Sequence, residues 1–116
     1  MGDRRQVNFG GLWFYTHNGG WSLGIKLRDA IREAKPRWDD KPYCFRIILG
    51  ELLKDYTGRE TGAGLDYEYQ DSEYQNRDFQ VDVGSNTVII PNPDGGPYLW
   101  SFKQFVELSD DELTEI

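Results

Sequence analysis

Residues 64–70 and 78–83 alternate apolar and polar side chains with a period of two. Leu65, Tyr67 and Tyr69 oppose Asp66, Glu68 and Gln70; Phe79, Val81 and Val83 oppose Asp78, Gln80 and Asp82. A strand sends successive side chains to opposite faces, so both segments predict antiparallel strands with one packed face and one wet face. Gly84-Ser85-Asn86 then reads as a hairpin turn into residues 87–90. This pattern limits the chain to folds that cover one side of a sheet.

The cover is legible upstream. Leu23, Leu27, Ala30, Ile31 and Ala34 form one helical stripe over residues 22–34, with Ser22 placed to cap it and Pro36 beyond its end. Residues 42–55 form a second, mostly apolar helix behind Asp40 and Pro42. Residues 6–16 read as an interior strand, apolar on both sides, with Gly10-Gly11 marking a bulge or a close backbone approach. Tyr98, Leu99 and Trp100 suggest a short strand, Ser101 caps a helical turn, and Ser109 through Glu112 is a capping box for a last short helix.

The expected fold class is therefore α+β in a single domain over residues 1–116. Its order is β-α-α-β-β-β-α, an antiparallel sheet of about four strands with two main helices on one face. Leu27, Ile31, Ile47, Ile48, Phe79 and Val81 are expected in the core, and Tyr67 and Tyr69 beneath the helices.

Composition narrows the function class. The chain has 116 residues and one cysteine. It needs no metal or disulfide to fold at that size, and one cysteine cannot staple it. No apolar run approaches a membrane span, and no signal-peptide core follows Arg5, so a cytoplasmic location is expected. The formal net charge is −7, unevenly spread. Residues 1–59 carry 11 Lys and Arg against 7 Asp and Glu, whereas residues 60–116 carry 2 against 13. An acidic half repels nucleic acid and attracts basic protein surfaces.

Catalytic signals are sparse. His17, the one histidine, follows a strand, where it suits either a general base or a turn residue bonded to nearby backbone. No nucleophile or metal-ligand spacing surrounds it, so no catalytic or metal residue is assigned. The run Gly58 to Gly64 lacks the ending of a phosphate loop, and no cofactor is expected. Gly19 and Gly20 precede a helix, whose amides, with His17 and Arg28 nearby, suit a small anion such as a nucleotide phosphate; a tight strand-to-helix turn is the competing reading.

Three segments occur together: residues 15–20 (Tyr-Thr-His-Asn-Gly-Gly), 37–43 (Arg-Trp-Asp-Asp-Lys-Pro-Tyr) and 60–65 (Glu-Thr-Gly-Ala-Gly-Leu). They resemble a group of small uncharacterised bacterial and phage-borne proteins, over roughly residues 12–90. The resemblance implies such an origin and assigns no catalytic residue.

The leading expectation is a non-enzymatic inhibitor or regulator, in the style of a phage anti-defence or immunity protein. Its acidic face of Asp66, Glu68, Asp78 and Asp82, flanked by the aromatic anchors Trp21 and Trp38, would meet a basic, nucleic-acid-handling protein. Direct nucleic-acid or membrane binding is not expected. The alternatives are a small-anion binder using His17, Gly19, Gly20 and Arg28, and a hydrolase dependent on His17.

Overall fold

A computed structural model describes residues 3–70, 74, 77–91 and 96–116. The chain is α+β, and its sheet is larger than expected, with six strands in the order β3-β2-β1-β4-β5-β6. These are β1 (Arg5–Phe9), β2 (Leu12–Thr16), β3 (Ala63–Asp66), β4 (Phe79–Asp82), β5 (Thr87–Ile90) and β6 (Tyr98–Ser101). The helices are α1 (Leu23–Glu33), α2 (Lys41–Leu53), α3 (Phe102–Phe105) and α4 (Asp110–Thr114).

Two features correct the expectation of about four antiparallel strands. First, residues 6–16 are a hairpin and not one strand. Gly10 and Gly11 take φ of 68° and 116°, a turn that glycine adopts without steric cost. Phe9 therefore pairs with Leu12, and Val7 with Phe14. Second, β1 pairs with β4 in parallel, Val7 opposite Phe79 and Asn8 opposite Gln80. The sheet is mixed, and β3 and β4, consecutive in sequence, lie three strand steps apart.

The helices pack on one face. Val7, Phe9, Phe14, Phe79, Val81, Val88 and Ile90 meet Leu27, Ile31, Ile48, Leu52 and Phe105 in one buried cluster. The expected core residues are buried there except Ile47, which is partly buried at its margin. Phe45 on α2 packs against Phe9 with centroids 5.2 Å apart, and Phe105 on α3 meets Phe79 edge-on at 6.2 Å. Neither Ser22 nor Asp40 caps its helix through its side chain, whereas Ser101 and Ser109 both close full capping boxes. The opposite face carries, strand by strand, Asp66, Trp13, Asn8, Gln80, Ile89 and Leu99 in one row.

Candidate binding surface

The corner of that outer face at β2 and β3 is built by a single carboxylate. Asp66 ends β3 and accepts hydrogen bonds from the Glu68 amide at 3.2 Å and from Gln70 Nε2 at 3.0 Å. Such a side-chain-stapled turn stops the strand and swings the chain back over the sheet. Gln70 then locks onto β1: its amide donates to Gln6 Oε1 at 3.0 Å, and Gln6 Nε2 returns a bond to its carbonyl at 2.8 Å. On the way Tyr69 meets Trp13 edge-on, with centroids 5.4 Å apart.

The turn corrects the placement of the tyrosines. Tyr67 is 82% exposed and Tyr69 52%, and Tyr69, against Trp13, lies on the side of the sheet away from the helices. Period-two alternation continues through residue 70 in the sequence, but the strand stops at Asp66. Asp66 and Glu68 alternate with these tyrosines along the chain, and among the described residues no ion pair reaches either carboxylate. The corner thus combines exposed aromatic area with uncompensated negative charge.

The other two carboxylates of the expected acidic face lie elsewhere. Asp78 is only 6% exposed, where its carboxylate accepts from the Gln6 amide at 3.4 Å and from Gln6 Nε2 at 3.2 Å. It is held inward against Gln6, away from the exposed corner. Asp82 is exposed on the outer face, but β2 and β1 intervene, placing it about 14 Å or more from Asp66. The backbone amide and hydroxyl of Ser85 hold Asp82 below the usual carboxylate range, with Gly84 and Lys41 adding to the effect. A continuous acidic face on adjacent strands is therefore not formed.

Neither tryptophan joins this corner. Trp21 is exposed but follows the Thr16 end of β2, whereas Asp66 pairs at the Trp13 end. Trp38 donates from Nε1 to the Ile31 carbonyl at 2.9 Å and packs edge-on against Phe102, a structural role.

The expected anion site is filled by the chain itself. Gly19 takes the left-handed conformation that the turn requires, φ 78°. The Gly20 amide donates to the Asp3 carbonyl and the Trp21 amide to Asp3 Oδ2, both at 2.9 Å. Arg28 points away: it is buried and binds Asp110 at 2.6 Å, Asp29 at 3.0 Å and the Leu108 carbonyl at 3.0 Å. His17 is exposed beside Arg4, Tyr15 and Gln70 in a shallow hollow of about 270 Å³.

A larger cleft, of about 450 Å³, opens where β1 and β4 diverge beyond Asn8 and Gln80; Phe9, Lys41, Phe45 and Asp82 complete its wall. Sequence reasoning missed it because it depends on the parallel pairing of strands some seventy residues apart. Among the described residues no group of His, Cys, Asp and Glu could hold a metal ion, and no helix is long and apolar enough to cross a membrane. No family model, curated protein or solved structure matches the chain.

Proposed function

We propose that the chain is a non-enzymatic protein-binding module, an inhibitor or regulator that engages a basic, nucleic-acid-handling protein through the corner of Trp13, Asp66, Tyr67, Glu68 and Tyr69. The observation that carries this reading is Tyr67, 82% exposed and flanked in the chain by two carboxylates that no cation neutralises in the described ion pairs. Tyrosine supplies large contact area at low entropic cost, and neighbouring charge selects the sign of the partner. The resemblance to phage-borne proteins fits an antagonist directed at a host enzyme that acts on nucleic acid. A photo-crosslinking residue placed at Tyr67, in cells of a bacterial host, should capture a basic protein that the same residue at Tyr43, exposed on α2, does not. Equal capture from both positions, or none from Tyr67, would reject the corner.

The cleft supports a second reading, a binder of small anions. Lys41 is its cationic group, set beside the Asp82 carboxylate, apolar walls and the residues Asn8 and Gln80. Calorimetry with nucleotides and inorganic phosphate should show heat that Lys41→Ala abolishes; no heat with the wild-type protein removes this reading.

A further inference from the structure

The two edges of the sheet are treated differently. Hydrogen-bonding direction alternates along an antiparallel strand, so one bond fixes the direction of every residue. On β6, the Phe102 amide reaches inward to the Asn86 carbonyl at 2.8 Å, which turns Pro97, Leu99 and Ser101 outward. Pro97 has no amide proton, and the Ser101 amide is taken by Gln104 Oε1 at 2.9 Å. Among the described residues of this edge only Leu99 offers an open donor, so over residues 97–101 the edge is closed to a long pairing.

The β3 edge lacks such guards. The His17 amide donates to the Gly62 carbonyl at 2.9 Å, so Gly62, Gly64 and Asp66 face β2, and Ala63 and Leu65 face outward. No turn, loop or side-chain hydrogen bond among the described residues reaches the backbone of either. Two amides and two carbonyls are thus spaced to form two bonded pairs with an antiparallel strand. Leu65 is 45% exposed at this edge, on the same face as the partly buried Tyr56. Asp66 and Glu68 bring negative charge to its end.

We infer that β3 is an acceptor for strand addition, and that its occupant is an extended, basic segment of a partner protein. The inference rests on the protein-binding reading above and adds a mode of recognition to it. In antiparallel register the residue opposite Leu65 lies on the helix side and is apolar, and the residue opposite Asp66 lies on the outer side and is Lys or Arg. A second apolar residue falls opposite Ala63. The residue between the two apolar positions lies opposite Gly64, where Tyr15 covers the space that a side chain would occupy. Backbone bonds supply affinity and the alternate side chains supply specificity. A second copy of this chain is the poorer fit, since it brings the same carboxylates and a net charge of −7.

The probe is a seven-residue peptide alternating lysine and valine, titrated into the full chain with amide hydrogen exchange followed by NMR. Exchange at Ala63 and Leu65 should slow by about tenfold or more, while Gly64, already bonded to β2, stays unchanged. N-methylation of the peptide amides that face β3 should weaken binding about tenfold or more, as should Leu65→Pro, which removes an outward donor at a position where proline is tolerated. A glutamate–valine analogue should not bind. Several results would overturn the inference: no binding of the lysine peptide, equal binding of the N-methylated or acidic peptide, or protection in the free protein that grows with its concentration. Binding without protection of Ala63 and Leu65 rejects strand addition but leaves the corner standing, which crosslinking from Tyr67 tests separately.

Discussion

Arg5 is where residue-scale chemistry departs furthest from what the sequence suggests. In sequence it belongs to a charged leading segment; in the fold it is 1% exposed. Its guanidinium donates to the carbonyls of Arg77 at 2.7 Å, Ile116 at 3.1 Å and Gly20 at 3.5 Å, and lies 4.2 Å from the Phe79 ring centroid. Burial pushes its pKa down to about 10, still high enough to keep it charged at neutral pH. Arg5→Ala would remove the donor of one buried and two part-buried carbonyls and open a void between the Tyr74 and Phe79 rings, so it should lower stability by about 3 kcal/mol or more in urea unfolding. A loss under about 1 kcal/mol would show that water replaces the guanidinium without penalty. Nothing local in the sequence marks this residue, because its partners lie up to 111 positions away.

Acid titration tests two exposed carboxylates at the same scale. The Ser85 amide and hydroxyl hold Asp82 low, and the Ser109 amide and hydroxyl do the same for Glu112. A carboxylate depressed on folding adds stability above its unfolded value, near pH 4, and loses it as pH falls through the lower folded value. The melting temperature of Asp82→Ala should therefore lie below wild type at pH 6 and converge with it towards pH 2. A constant gap across that range would mean that the Asp82 contribution is not ionic.

At the scale of elements, period and punctuation located most of the fold. The stripe over residues 22–34 became α1, the apolar run over 42–55 became α2, and the Gly84-Ser85-Asn86 turn joined β4 to β5. Ile48 sits fully buried at the centre of α2, and Ile48→Ala should cost about 2–5 kcal/mol. Unfolding midpoints within error of wild type would contradict the packing of α2 on the sheet. What stayed illegible was non-local. Gly10-Gly11 reads as a bulge or a close backbone approach within one strand, whereas the pairing of Phe9 with Leu12 makes it the turn of a hairpin. The end of β3 depends on Asp66 stapling a turn, a role that its place in an alternating run conceals.

At Gly20 one element approaches the backbone of another closely. A Cβ there would come within 2.8 Å of the Asp3 carbonyl oxygen and 2.9 Å of Arg5 Cβ. Gly20→Ala should therefore lower the melting temperature markedly, by displacing backbone and not merely a side-chain tip. Gly50→Ala on α2, which meets nothing within 4 Å, should be neutral or stabilising by up to about 1 kcal/mol. Similar melting temperatures for the two variants would refute the close approach at Gly20.

Over the whole molecule, the charge split seen in the sequence is only partly a surface feature. Asp110 neutralises Arg28 and Asp78 is buried, so the acidic half does not form one plate. The charge that the proposed function uses is local: Asp66 and Glu68, which alternate with Tyr67 and Tyr69. The sequence singled out the two carboxylates but not the rings, since a strand ending at Asp66 and a strand continuing to Gln70 share the same alternation. Because Asp66 also staples the turn, its charge is best removed as Asp66→Asn, which keeps an acceptor, together with Glu68→Lys.

The central claim, that this corner meets a basic protein, is tested most directly by the association rate of the crosslinked partner as salt is varied. For the wild-type chain that rate should fall by about tenfold or more between about 0.03 and 0.3 M salt, as screening shortens the reach of the exposed carboxylates. The Asp66→Asn, Glu68→Lys double variant should associate more slowly at low salt and with a flatter salt dependence, while its melting temperature stays near wild type. Equal rates for the two proteins at every salt concentration would contradict the claim.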